Sequence, residues 1–166
     1  MNIFEQGNVV SILYPSDLQT AVADDWIDMA DYHAMDIIFF KGAGTGGDDP
    51  DVHITQATSA AGAGEKGLDV DHYYLKSGTL LSTSSIGGSF TKTTMTASYI
   101  VDLGAASAEV QQIVGFHIDS DMLDSNNSFR YVRASVPDVG NNAQLGCILG
   151  IMYPRYAGET ASNPLD

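Results

Sequence analysis

A single cysteine, Cys147, stands among 166 residues, which excludes an internal disulfide framework. Its setting, "AQLGCILGIM", is apolar, so a buried and inert thiol is expected. Basic residues are scarce: seven Lys and Arg face 21 Asp and Glu, for a net charge of −14. That balance argues against direct nucleic-acid binding through phosphate neutralisation and against docking on anionic lipid. No apolar run approaches the roughly 20 residues that span a bilayer as a helix. The opening "MNIFEQGNVV" lacks a basic region followed by an apolar core, so synthesis in the cytoplasm without secretion is expected.

Catalytic signatures are missing as well. Histidines 33, 53, 72 and 117 are scattered, with no HExxH or paired-His spacing for zinc. There is no G-x-S-x-G elbow, and none of the aspartates sits in a recognisable catalytic context. A non-enzymatic protein without cofactor or metal is expected. Trp26 and the tyrosines read as core or interface aromatics rather than a sugar platform.

What is present is a chain with only 17% charged residues and 17 glycines, filled out with Ala, Ser and Thr. Such a surface is neutral and hydroxylated, and can lie against another protein without desolvating many charges. Only four acids are Glu (Glu5, Glu65, Glu109, Glu159) and the rest are Asp. Asp suits turns and caps better than helix interiors, so strands and loops are expected.

Strand patterns recur along the chain. "NVVSILY" (8–14) stops at Pro15. "MDIIFFK" (35–41) is apolar at both parities, as in a central strand covered on both faces. "DVHITQAT" (51–58) sets Val52, Ile54 and Gln56 against His53 and Thr55. "HYYLKSG" (72–78) and "SFTKTTMTASYIVDL" (89–103) follow. In "QQIVGFHIDS" (111–120), Val114, Phe116 and Ile118 share a face opposite His117 and Asp119. "FRYVRASV" (129–136) and "AQLGCILGIMY" (143–153) complete the set. In the last, Ala143, Leu145, Cys147, Leu149 and Ile151 share one face, and Leu149 is expected in the core. Residues 16–32 and 107–114 are the two places where a helical turn fits. Gly/Asn/Asp/Pro turns between short strands predict an all-β sandwich or barrel. One β-sandwich domain of jelly-roll type over 1–156 is expected, with a tail at 157–166 that frays or reaches a neighbour.

The stretch "FFKGAGTGGDDPDVHITQ" (39–56) places four glycines between apolar and acidic residues. A phosphate loop would lead into a helix, often with a Lys on the phosphates. This one leads into "DDPD" and another strand, and reads as a hairpin loop. Asp48, Asp49 and Asp51 lack the EF-hand order, as do Asp119, Asp121 and Asp124, so no obligatory cation is expected.

Two stretches resemble a group of small virion structural proteins of tailed bacteriophages. They are "DIIFFKGAGTGGDDPDVHITQATSAAG" (36–62) and, more strongly, "FRYVRASVPDVGNNAQLGCILGIMYPRYAG" (129–158), together a little over a third of the chain. The resemblance implies a decoration or cement protein on the capsid exterior, with the major capsid protein as partner. Self-association as a trimer or dimer is expected, since it multiplies weak contacts with a lattice. The alternatives are a tail, neck or fibre component of the virion, or a carbohydrate-binding or hydrolytic β-sandwich. Arg130 and Arg133 are the candidate partner contacts, being two of few basic residues and suited to bidentate pairing; a salt bridge within the subunit is the competing reading.

Overall fold

The computed structural model describes residues 7–19, 24–78, 89–96, 99–103, 110–137, 140–156 and 164–165. Among them, eleven strands form two antiparallel sheets. They are β1 (Asn8–Asp17), β2 (Ile27–Asp28), β3 (Tyr32–Lys41), β4 (Asp51–Ala57), β5 (Lys66–Gly67) and β6 (His72–Gly78), then β7 (Thr91–Thr94), β8 (Ile100–Asp102), β9 (Gln111–Asp119), β10 (Tyr131–Ser135) and β11 (Leu145–Pro154). The six-stranded sheet runs β1-β11-β3-β9-β6-β7, and the five-stranded sheet β2-β10-β4-β5 with β8 beside β4.

The pairing is nested. β1 pairs with β11, β2 with β10, β3 with β9 and β4 with β5. The chain thus behaves as a long ribbon folded back on itself and wrapped into two layers, with β6, β7 and β8 inserted before β9. Every second residue of the inner strands enters the space between the sheets. Met35, Ile37, Phe39, Val114, Phe116, Ile118, Ile148 and Met152 come from one layer; Ile27, Val52, Ile54, Val132 and Ala134 come from the other. The alternation expected in β9 is observed along the whole strand, and that in β4 through residues 51–54; beyond them Thr55, Gln56 and Ala57 are all buried.

In β11 the faces are the reverse of what Leu149 was expected to show. Gly146, Ile148, Gly150 and Met152 face the core, and Leu149 is 39% exposed. The inner face needs glycine because bulky neighbours already fill it. A Cβ on Gly146 would stand 2.8 Å from Leu18 Cδ1, and one on Gly150 3.0 Å from Val10 Cγ2. β3 is central, between β11 and β9, but its outer residues Ile38 and Phe40 have no second layer over them within the described chain.

Other expectations are corrected. The loop at 42–51 is not a hairpin: it carries the chain from β3 in one sheet to β4 in the other. Its Asp48 is buried. Residues 89–103 split into β7 and β8, which lie in different sheets. β1 continues past Pro15 to Asp17, which an edge strand with register shifts allows. No helix forms in the described parts of 16–32 or 107–114; residues 20–23 and 104–109 lie outside the described set. The tail returns to its own core at its end: the Asp28 amide donates to the Pro164 carbonyl, and Leu165 packs on the core. Residues 157–163 lie outside the described residues.

Candidate functional site

The two outward faces of the sandwich differ in chemistry. On the five-stranded sheet, the outward residues of β10 are Tyr131, Arg133 and Ser135, flanked by His53 and Thr55 of β4. This is where both candidate arginines lie. Arg130 donates to Asp28 Oδ2 at 2.6 Å and to Tyr131 Oη at 2.9 Å. Arg133 donates to Glu65, stands 3.5 Å from Asp24 and stacks 4.7 Å over the Trp26 ring. Burial raises the Asp24 pKa while Arg133 opposes the rise. Both arginines therefore have acceptors within the chain, and Trp26 lies under a guanidinium.

The outward face of the six-stranded sheet is apolar. Strand register sets its side chains in rows: Val9, Ile151, Asp36 and His117; then Leu149, Ile38, Gly115 and Tyr74; then Cys147, Phe40 and Ile113. Val9, Phe40, Leu145 and Leu149 are exposed large hydrophobic residues. Cys147 is half-buried in this face, and burial pushes its thiol pKa up, as an inert thiol requires.

Polar residues interrupt the apolar rows: Lys92 follows Tyr74 and Lys76 follows Ile113 in register, and an acid–imidazole cluster lies in the first row. Asp36 of β3 accepts from His117 Nδ1 on Oδ1 and from Tyr153 Oη on Oδ2, both at 2.6 Å. His117 Nε2 lies 3.5 Å from Asp119 Oδ1. The hydrogen bond to Asp36 is the main reason that the His117 pKa is raised, with burial opposing. The same carboxylate, helped by burial, pushes the Tyr153 phenol up to about 12. An imidazole oriented by a carboxylate is half of a proton-transfer machine. Here Nε2 is turned to a second carboxylate, and among the described residues no hydroxyl or thiol is bonded to it. The arrangement fixes charge at one end of an apolar surface.

Beside this cluster the face is indented. A cleft of about 250 Å³ lies between Ile38, Tyr74 and Phe90, floored by Gly115, with Asp36 and His117 at its end.

In the acidic loop, Asp48 is occupied by its own chain. Asp48 accepts from the Asn142 amide at 2.9 Å and side chain at 2.8 Å, and from the Asn141 amide at 3.4 Å. The Asn142 side chain is the first cause of its lowered pKa. The carboxylate thus pins two crossing loops together. Among the described residues no three His, Cys, Asp or Glu are grouped as for a metal, and no helix is long and apolar enough to cross a membrane.

Sequence reasoning placed His117 and Asp119 on the face opposite the core, and that face holds the cluster. It did not single out Asp36, whose signal is a lone acid inside "MDIIFFK". Tyr74, Phe90 and Tyr153 gave no comparable signal. Comparison with family models, curated proteins and solved structures finds no match to the chain.

Proposed function

We propose that this protein is a non-enzymatic structural component of a tailed-phage virion, a decoration or cement protein of the capsid exterior. The observation that carries the reading is the outward face of the six-stranded sheet. Its central strands β11 and β3 present Leu145, Leu149 and Phe40 to solvent at fixed register. A contiguous apolar surface on a rigid sheet is the signature of a protein contact. Asp36, His117, Asp119, Lys76 and Lys92 share the face, so a partner that covers it must offer complementary charge. The phage resemblance supports the reading from another side: its stronger stretch, 129–158, contains β10 and β11. The nested strand pairing fits a jelly roll, an architecture used in viral capsids as well as lectins. The proposed partner is the major capsid protein, and the proposed assembly is a homodimer or homotrimer placed on capsid symmetry axes.

Counting copies per purified virion by mass spectrometry tests this. Many copies, on the scale of the shell's own subunits, are expected. A few copies would instead place the protein in a neck, tail or fibre.

A further inference from the structure

Two properties of the outward face coincide at Gly115. The missing Cβ leaves the cleft of about 250 Å³, walled by Ile38, Tyr74 and Phe90. That volume falls below the roughly 300–1,000 Å³ of small-molecule sites. It fits a single side chain better than a metabolite. The cleft ends in charge: Asp36 uses one lone pair on each oxygen for Tyr153 and His117, and a carboxylate has about four such acceptor positions. Asp119 stands beyond His117 on the same strand. An apolar slot ended by the Asp36 carboxylate complements a side chain with an apolar stem and a cationic head. Two aromatic walls favour a guanidinium over an ammonium, because the planar, weakly hydrated group stacks on rings.

The chain's own charges indicate where such a side chain comes from. Acids outnumber bases three to one, at 21 against seven. All three arginines already have acceptors within the chain: Arg130 on Asp28, Arg133 on Glu65, and Arg155 on the Ala30 carbonyl. A second copy of this chain would have to break one of these contacts to fill the cleft. A different, basic protein would not.

We infer that the Gly115 cleft receives one arginine side chain from a strand or loop of a basic partner protein. The stem lies over Gly115 between Ile38 and the rings of Tyr74 and Phe90, and the guanidinium reaches Asp36. This deepens the capsid-binding reading and rests on it only for the identity of the partner.

The test is a titration of the isotope-labelled full chain with acetyl-arginine N-methylamide, followed by amide NMR, with the neutral citrulline analogue as comparison. Saturable shifts at Ile38, Gly115 and His117 are expected, with arginine bound about tenfold or more tightly than citrulline, as a charge-assisted hydrogen bond implies. Gly115→Val should abolish them. A Cβ there meets nothing nearer than Tyr74 Cβ at 3.8 Å, so a side chain at 115 has room at its base and projects into the cleft. Absence of saturable shifts, an equal response to citrulline, or an unchanged response in Gly115→Val overturns the inference. If that variant fails to fold, the arginine–citrulline comparison on the native chain decides. Binding to capsids lacking the protein separates the two readings. Capsid binding lost with the cleft titration intact removes the decoration role and leaves the arginine cleft standing. Capsid binding intact with no cleft titration does the reverse.

Discussion

Asp36 and His117 face each other across β3 and β9, and His117 Nδ1 lies 2.6 Å from Asp36 Oδ1. The two residues are 81 positions apart in sequence, and only strand register brings them together. The carboxylate favours the imidazolium, so the folded pKa lies above the unfolded value of about 6.5. The sign follows from linkage: the pair's stabilisation is fully present below the unfolded pKa and is lost as pH rises through the folded one. An NMR titration of His117 should give a midpoint above that of a free imidazole, and Asp36→Asn should lower it. A midpoint at or below the free value would mean that the pair is not formed in solution.

Tyr153 reports on the same carboxylate independently. Its phenol is pushed up to about 12, chiefly by donating to Asp36. In Asp36→Asn the neutral amide no longer penalises the phenolate, and the pKa should fall towards the ordinary value of about 10. Ultraviolet difference spectra of each background against its Tyr153→Phe counterpart isolate this one residue among eight tyrosines. An unchanged alkaline transition would contradict the Asp36 contact.

Neighbouring residues of β11 should respond oppositely to truncation. Ile148 is fully buried, so Ile148→Ala should cost about 2–5 kcal/mol through lost burial and the cavity left behind. Leu149 faces outward at 39% exposure, so Leu149→Ala should cost under about 1.5 kcal/mol. Denaturant melts decide between the two faces: a larger loss at Leu149 would invert the assigned orientation.

That inversion marks where the sequence stopped being legible. In β4 and β9 polar residues alternate with apolar ones, so parity named the core face correctly through Val52, Ile54, Val114 and Phe116. In β3 and β11 both parities are apolar, and no contrast remains to read. The deciding fact in β11 is that Gly146 and Gly150 lie under Leu18, Phe39, Val10 and Ile12. These residues lie in or just after β1 and in β3, far from β11 in sequence, and no local pattern announces them. Arg130 and Arg133 stood out by rarity, but rarity does not reveal acceptors such as Asp28 and Glu65, which are far along the chain.

The loop at 42–51 should be indifferent to cations. Asp48 is committed to the backbone and side chain of Asn142, and its lowered pKa reflects those donors. Thermal melts with chelator and with millimolar Ca²⁺ should coincide. A ligand at a hundredfold excess over its dissociation constant would add about 2.7 kcal/mol, so a bound cation would shift the melt visibly.

The outward apolar face should carry capsid binding, and the charged face should not. Leu145 and Leu149 project from the same side of β11 and are 65% and 39% exposed. Removing them costs the isolated subunit under about 1.5 kcal/mol at Leu149 and less at the more exposed Leu145. Burying each against a partner is worth about 1.5–3 kcal/mol at most. Leu145→Ser with Leu149→Ser should therefore weaken saturable binding to capsids lacking the protein by about a hundredfold, with the variant still folded. Arg130→Ala lies on the opposite sheet and should leave that binding within about threefold of native, since an exposed pair contributes under 1 kcal/mol. Salt should act on the native interaction as well, because a chain of net charge −14 needs basic complement on its partner. If the double serine variant binds capsids as tightly as the native protein, the six-stranded sheet is not the contact face, and the observation behind the proposed role is removed.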